Sequence, residues 1–113
     1  MAGEVAGFDR EAMLAELEGD EELLAELVDT MRTEAPKLLH ELRAAANATD
    51  PALVARAAHT LKGAVSNFGA RTAADAALRL ELMGRAGDLS ELAPALAALE
   101  TAMSALIREL EQA

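Results

Sequence analysis

Hydrophobic residues recur at alternating steps of four and three along two long stretches of the sequence. The first stretch consists of Leu24, Val28, Met31, Ala35, Leu38, Leu42 and Ala45. The second consists of Leu92, Leu96, Leu99, Met103, Leu106 and Leu110. This spacing places the apolar residues on one face of a helix, as in helical bundles. Pro36 lies within the first stretch, and because the periodicity keeps its phase there, we expect one kinked helix rather than two separate helices.

Residues typical of helix ends divide the chain into five predicted helices. Side chains suited to capping a helix start are Asp9 (which follows Phe8), Asp20, Asp50, and either Asp88 or Ser90. Residues suited to ending a helix are Gly19, Gly69 and the segment from Gly84 to Gly87. The third helix is therefore expected to run from Pro51 to Phe68, and the fourth from about Ala70.

The start of the last helix carries a further signal. Glu91 lies three residues after Asp88, which is the spacing of a capping box, and Pro94 falls in the first turn, where proline is tolerated. Short connections between the helices imply antiparallel neighbours. The sequence thus predicts an all-α fold, an antiparallel up-down four-helix bundle with a short additional helix at its start. We expect a single domain over residues 1–113, with residues 1–7 frayed.

Composition and charge exclude several classes of function. The 113 residues include no Cys, so disulfides and Cys-ligated metals are excluded, and the two His are too isolated to predict a metal site. Twenty acidic residues against ten basic ones give a net charge of −10, which disfavours nucleic acid and anionic membranes as partners. No apolar run approaches the ~20 residues of a membrane span, and the first residues lack a signal-peptide pattern. We therefore expect a cytoplasmic protein.

One face of the third predicted helix carries an unusual set of residues. Its residues are spaced three and four apart and lie opposite the apolar stripe of the same helix. They are Arg56, His59, Lys62, Gly63 and Ser66. Small residues surround His59 where long charged side chains are usual, so its imidazole is expected to point outward from an accessible surface. Glycine in mid-helix costs roughly 1 kcal/mol relative to alanine, and Gly63 therefore indicates a close approach to the backbone beside His59.

The segment around His59 resembles the hallmark of the histidine phosphotransfer (HPt) domains of two-component phosphorelays, such as those of hybrid sensor histidine kinases. That hallmark is His-x-Leu-Lys-Gly with a further Gly about ten residues after the His, and its places are taken by His59, Leu61, Lys62, Gly63 and Gly69. The flanking family pattern is similar in Asp20-x-Glu22-Leu23-Leu24, Ala35-Pro36-x-Leu38-Leu39 and Leu80-Glu81. The resemblance covers nearly the whole chain, and the family's helical-bundle fold agrees with the periodicity.

The resemblance implies that His59 accepts a phosphoryl group from a phospho-aspartate of a receiver domain and passes it to another receiver aspartate. Lys62 would offset the incoming negative charge, and Gly63 would give the partner clearance. The implied partners are response-regulator receiver domains or a hybrid histidine kinase. Because the chain has no Gly-rich phosphate loop, we expect a phosphoryl carrier rather than an enzyme with its own ATP-dependent kinase activity. No cofactor is expected, and magnesium would belong to the receiver domain.

Several of these residues have a second interpretation. We expect His40, which precedes Glu41, to be an ordinary surface histidine. Residues grouped here as partner-binding are Arg56, Ser66, Asn67 and Glu81. As alternatives, Arg56 and Lys62 are ordinary surface charges, and Asn67 satisfies local backbone groups. Glu81 falls on an apolar stripe, so either it hydrogen-bonds near His59 or it is a rim carboxylate paired with Lys or Arg.

Two alternatives remain for the chain as a whole. One is an acidic helical interaction or adaptor module that keeps the His59 motif without being phosphorylated. The other is a domain phosphorylated directly by an ATP-binding kinase domain of a longer protein.

Overall fold

The computed structural model describes residues 9–112, and the regular secondary structure in that range is entirely helical. The helices are α1 (Arg10–Glu16), α2 (Glu21–Asn47), α3 (Pro51–Ser66), α4 (Arg71–Ala86) and α5 (Leu92–Gln112). Both α2 and α4 pack against α3 and α5, which closes a four-helix bundle, and α1 packs against α2. The predicted all-α bundle with a short first helix is confirmed. Phe8 and the predicted fraying of residues 1–7 lie outside the described residues.

Aspartate side chains cap the first three helices. The carboxylate of Asp9 accepts a hydrogen bond from Ala12 N, and that of Asp20 accepts one from Leu23 N. The Asp50 carboxylate accepts from the amides of residues 52 and 53, directly before Pro51 at the first helical position. These bonds satisfy amides that have no partner within the helix, which explains why the helices start at the predicted residues.

Helix α2 continues through Pro36 as one helix of 27 residues, so the expectation of one helix rather than two is confirmed. Pro36 is exposed, whereas the neighbouring Ala35 is fully buried. Burial of the apolar stripe on both sides holds the helix together where one backbone donor is missing. The stripe differs from its predicted form at one place, because Leu39 is buried where Leu38 was expected and Leu38 is half-buried. Both residues fit the helical period.

Two predicted helix ends are wrong. Helix α3 ends at Ser66 rather than Phe68, because the chain turns through Gly69 at a φ of +66°, and the amide of Ala70 bonds back to Val65. Helix α5 begins at Leu92, so neither Asp88 nor Ser90 caps it and no capping box forms with Glu91. The Asp88 carboxylate instead accepts from Ser90 N and holds the turn before the helix.

The buried side chains differ in size between the helices. Those of α5 are mostly large, and they include Leu99, Met103, Leu106 and Leu110. Those of α4 are mostly small, and they include Ala73, Ala77 and Gly84. Within the described range, no helix is both long and apolar enough to cross a membrane.

Candidate functional site

His59 lies in the middle of α3 and points away from the core. Its side chain is 62 % exposed, whereas Ala58 and Leu61 on the opposite face of the helix are fully buried. The expected outward orientation is therefore confirmed. His40 is also exposed, on α2, as expected for a surface histidine.

A buried carboxylate on α4 contacts this histidine. Glu81 is only 2 % exposed, and among the residues that the structure describes it is the single buried charged side chain. Its Oε2 lies 2.9 Å from Nδ1 of His59 and 2.7 Å from a guanidinium nitrogen of Arg85. Its Oε1 lies 2.9 Å from Nζ of Lys62. A buried charge needs such partners, because an unpaired carboxylate in the interior is strongly destabilising.

The contacts decide the charge state of Glu81. The Lys62 ammonium group beside the carboxylate outweighs the opposing effect of burial and, with the contribution of His59, lowers the pKa of Glu81 from 4.5 to about 2. The carboxylate is therefore ionised at neutral pH and can only accept hydrogen bonds. Its position 2.9 Å from Nδ1 of His59 consequently assigns a proton to that nitrogen. In the neutral imidazole the free lone pair is then on Nε2.

The charges around the imidazole sum to a positive value. Glu81 contributes one negative charge, and its two partners Lys62 and Arg85 contribute one positive charge each. With a neutral His59 the cluster carries a net charge of +1, in a chain whose total is −10. An incoming anionic group therefore meets a locally favourable site on an otherwise acidic protein.

A close approach of α3 and α4 brings these groups together. Gly84 lies one turn after Glu81, and a Cβ at position 84 would be 2.5 Å from the carbonyl oxygen of Pro51 and 2.7 Å from the amide nitrogen of Ala55. Atoms cannot approach so closely, so only glycine allows this helix spacing. Ala55 lies one turn before His59, so this close approach is one turn away from the contact between His59 and Glu81.

Gly63 differs from Gly84 in its surroundings. No atom outside its own helix lies within 4 Å of where a Cβ at position 63 would stand. Packing within the domain therefore does not require glycine here. A shallow groove between α3 and α4 opens beside His59, and its lining includes Ala52, Ala55, Gly84 and Arg85.

The remaining predicted residues surround His59 at different distances. Arg56 is exposed one turn before it and lines the same groove. Ser66 and Asn67 are exposed at the end of α3, and Ser66 is two turns, or ~10 Å, along the helix axis from His59. Glu81 has both of its suggested contacts, with His59 and with basic side chains. Its burial places it beneath the imidazole and not on the surface that a partner would meet.

Two functional residues were not predicted from the sequence. Arg85, an ion-pair partner of Glu81, and Gly84, which allows the close helix approach, both lie in the segment interpreted as a stop signal. The helix does end within that predicted segment, at Ala86, and Gly87 follows it with a φ of +71°. The spacing of Glu81 and Arg85 by four residues is a signal for an ion pair on a helix and could have identified Arg85.

Comparison with known proteins gives consistent matches. The family model described as "Hpt domain" matches residues 26–109. Among solved structures, the chain is similar to histidine-containing phosphotransfer protein B (HptB) from Pseudomonas aeruginosa, with a TM-score of 0.85 and 26 % identity over 99 % of this chain and 95 % of that one. It is also similar in fold to the HPT domain of a sensor hybrid histidine kinase from Shewanella, with a TM-score of 0.81 and 17 % identity over 95 % of this chain and 92 % of that one. A search of curated proteins gave no match.

Proposed function

The chain belongs to the Hpt domain family, whose members are phosphocarrier modules of phosphorelays, and we propose that His59 is the residue that carries its phosphoryl group. The observation that supports this proposal most directly is the hydrogen bond between His59 Nδ1 and the buried Glu81. It fixes the ring and leaves Nε2 on the exposed side of the imidazole as the nucleophile.

The transfer step then follows from the proton positions. The lone pair of Nε2 forms a bond to phosphorus while the bond between phosphorus and the aspartate oxygen of the partner breaks, and the aspartate leaves as a carboxylate with the electron pair. Because Nδ1 keeps its proton, the phosphorylated ring is positively charged, and the Glu81 carboxylate at 2.9 Å stabilises that charge. The same contacts serve the reverse transfer to another aspartate.

Lys62 and Arg85 have a supporting electrostatic role in this proposal. Both are held beside His59 by Glu81, at 2.9 and 2.7 Å. Their positive charges lower the cost of bringing an anionic phosphoryl group to the imidazole. Gly63 contributes in another way, because the space beside it lets the backbone of a partner come close to the ring.

The partner proposed for this chemistry is a receiver domain, alone or in a hybrid histidine kinase. It would supply the reacting aspartate and the magnesium ion. The charge cluster at His59 combines one carboxylate with two cations, which suits an incoming phosphoryl group better than a divalent metal. We propose that the domain acts in the cytoplasm as a carrier without ATP-dependent kinase activity of its own. The family assignment does not favour the alternative of an unphosphorylated acidic adaptor.

Labelling from a phosphorylated receiver tests the proposal. The protein is incubated with a phosphorylated receiver domain and magnesium, and the phosphoryl group on the protein is tested for acid lability and base stability, which distinguish a phosphoramidate from an acyl phosphate. We expect His59→Gln to abolish labelling while leaving the helical content and the melting temperature nearly unchanged, because the side chain is largely exposed. His40→Gln, which changes the other exposed histidine, is the matched control. Normal labelling of the His59→Gln protein would refute the proposal.

A further inference from the structure

One face of α4 carries exposed residues at a regular spacing. Asp75, Leu78, Leu82 and Arg85 are all exposed, and they follow one another at steps of three, four and three. The two leucines are 38 % and 55 % exposed. With this spacing a helix presents a continuous seam to another helix, as in a coiled coil. The face formed by these four residues is called the α4 strip below.

The α4 strip has no partner within the domain. The buried residues of α4 pack against α3 and α5, and the strip faces outward. In the part of the chain that the structure describes, Asp75 forms no ion pair. Arg85 pairs with Glu81, but its side chain is still 64 % exposed. Two neighbouring exposed leucines between two charges differ from leucines scattered singly over a surface, which need no explanation.

The spacing of the strip is the same in both directions along the helix, but its charges are not. Three, four and three is also the order of steps from Arg85 back to Asp75. An antiparallel second copy of α4 therefore matches the strip, with Leu78 opposite Leu82 and Asp75 opposite Arg85, each pair occurring twice. A parallel copy would instead place like charges side by side. The charge pattern thus complements a second copy of this chain in one orientation.

We propose that the α4 strip joins two copies of this chain in an antiparallel contact. The four leucines form its centre, and an ion pair between Asp75 and Arg85 lies at each end. These two residues are ten apart, so the contact extends ~15 Å along the helix axis. So short a contact buries less than the ~1,200 Å² of a stable interface, and the dimer is therefore weak and forms at high protein concentration.

The other two arginines of α4 have defined places in this arrangement. Arg71 lies four residues before Asp75 and reaches past Ala86, at the carboxyl end of the other copy's α4, where a positive charge is favoured. Arg79 directly follows Leu78, and both copies of Arg79 lie on the same exposed edge near the centre of the contact. Their mutual repulsion opposes association, so Arg79→Ala should lower the dissociation constant of the dimer a few-fold.

The leucine part of the proposal is tested by sedimentation equilibrium of the whole chain between about 0.02 and 1 mM. About 0.15 M salt screens the long-range repulsion between two chains of net charge −10. The wild type should reach a monomer–dimer equilibrium, and Leu78→Gln should raise its dissociation constant roughly tenfold. The matched control is Leu23→Gln, which changes a leucine that is also 38 % exposed but lies on α2. It should leave the dissociation constant unchanged.

The charge part is tested by exchange of the two end residues. Asp75→Arg and Arg85→Asp each leave like charges opposite one another, and each should raise the dissociation constant roughly tenfold or more. An equimolar mixture of the two variants should associate again as a mixed dimer, because every introduced charge then faces its opposite. Circular dichroism verifies that both variants are folded. Glu26→Arg, on the exposed side of α2, alters the net charge as Asp75→Arg does and should not weaken association.

Three results would overturn the dimer. The first is a wild-type chain that stays monomeric at about 1 mM. The second is a mixture of Asp75→Arg and Arg85→Asp that associates no better than either variant alone. The third is equal weakening by the controls Leu23→Gln and Glu26→Arg, since the effect would then not belong to the α4 strip.

One consequence of the dimer rests on the proposed function. Arg85 and His59 contact the same oxygen of Glu81, so Asp75 of the other copy adds negative charge beside a cluster whose net charge is +1. Phosphorylation of His59 brings further negative charge to the same place and should raise the dissociation constant several-fold. An unchanged value for the labelled protein would overturn this coupling. Absence of label on the folded wild type would overturn the proposed function instead, whereas the dimer is measured without any phosphoryl donor.

Discussion

The two sides of the bundle use residues of very different size. Where α5 packs against α2 and α4, the core contains Leu99, Met103 and Leu106. Where α4 packs against α3, it contains Ala77 and Gly84. Large apolar side chains bury much surface and supply stability. Small residues let two backbones approach until polar side chains on the two helices meet. One side of the molecule therefore stabilises the fold, and the other builds the site.

The largest effect is expected from a change on the stabilising side. Leu106 on α5 is fully buried, and Leu106→Ala should lower the free energy of unfolding by about 2–5 kcal/mol through lost burial and a cavity. Urea denaturation measures this loss, with the exposed Leu23→Ala as control. At a temperature where the variant is folded, its phosphoryl transfer should match that of the wild type. Slower transfer by a fully folded variant would contradict the division between the two sides.

Next in size is the effect of acid on the polar side. Since the pKa of Glu81 is lowered from 4.5 to about 2, its contribution to stability is complete above pH ~4.5 and is lost as the pH falls towards 2. A shift of this size corresponds to roughly 3 kcal/mol. Glu81→Gln should therefore be less stable at pH 7 and should lose less stability between pH 4.5 and 2.

Denaturation curves across this pH range provide the measurement. The control is Glu100→Gln, which removes the more exposed ion pair with Arg43 and should leave the slope below pH 4.5 unchanged. The same steep loss of stability in Glu81→Gln as in the wild type would show that Glu81 is not the group that titrates.

A smaller effect distinguishes two glycines, both in helices. Gly84→Ala forces a methyl group against the backbone of residues 51 and 55 and should cost about 1–3 kcal/mol, whereas Gly63→Ala meets open space and should stabilise the helix by up to about 1 kcal/mol. Gly84→Ala should also slow transfer, because separating the helices weakens the contact between His59 and Glu81. Urea denaturation and the ¹⁵N shift of His59 Nδ1 measure the two consequences. An unchanged Nδ1 shift in Gly84→Ala would contradict the link between helix spacing and the site.

The smallest effect is expected at Lys62. Lys62→Ala should slow phosphoryl transfer by roughly tenfold without abolishing it, because the ammonium group contributes charge next to the reaction but does not carry the phosphoryl group. Lys37→Ala is the matched control, since it removes an exposed lysine on α2 whose ion pair with Glu34 spans 3.9 Å. Complete loss of transfer in Lys62→Ala would assign Lys62 more than an electrostatic role.

Local signals made most of the fold predictable. The aspartate caps at residues 9, 20 and 50 bond to amides two or three residues further along the chain. The four-three spacing identifies the buried face of a single helix. Both signals can therefore be recognised from neighbouring positions in the sequence. The start of α5 was not predictable in this way. Asp88 can cap a helix or hold a turn, and the backbone geometry before Leu92 selects the turn.

The site was predictable only in part. His59, Lys62 and Gly63 lie within one helical segment, and a short motif identifies them together. The contact of Glu81 with His59 spans 22 residues and depends on the spacing and rotation of two helices, which no local pattern specifies. Sequence reasoning therefore left Glu81 between two alternatives, although it had noted the carboxylate on an apolar stripe.

The narrow gap at Gly84 has a consequence for sequence comparison. The residue is buried, and the backbone of Pro51 and Ala55 leaves room there for a hydrogen atom and nothing larger. A homologue could retain every letter of the motif around His59 and still lack a working site, if a larger residue at this position holds its histidine and carboxylate apart. A search for such motif-bearing but inactive relatives should therefore examine position 84 as well as the motif.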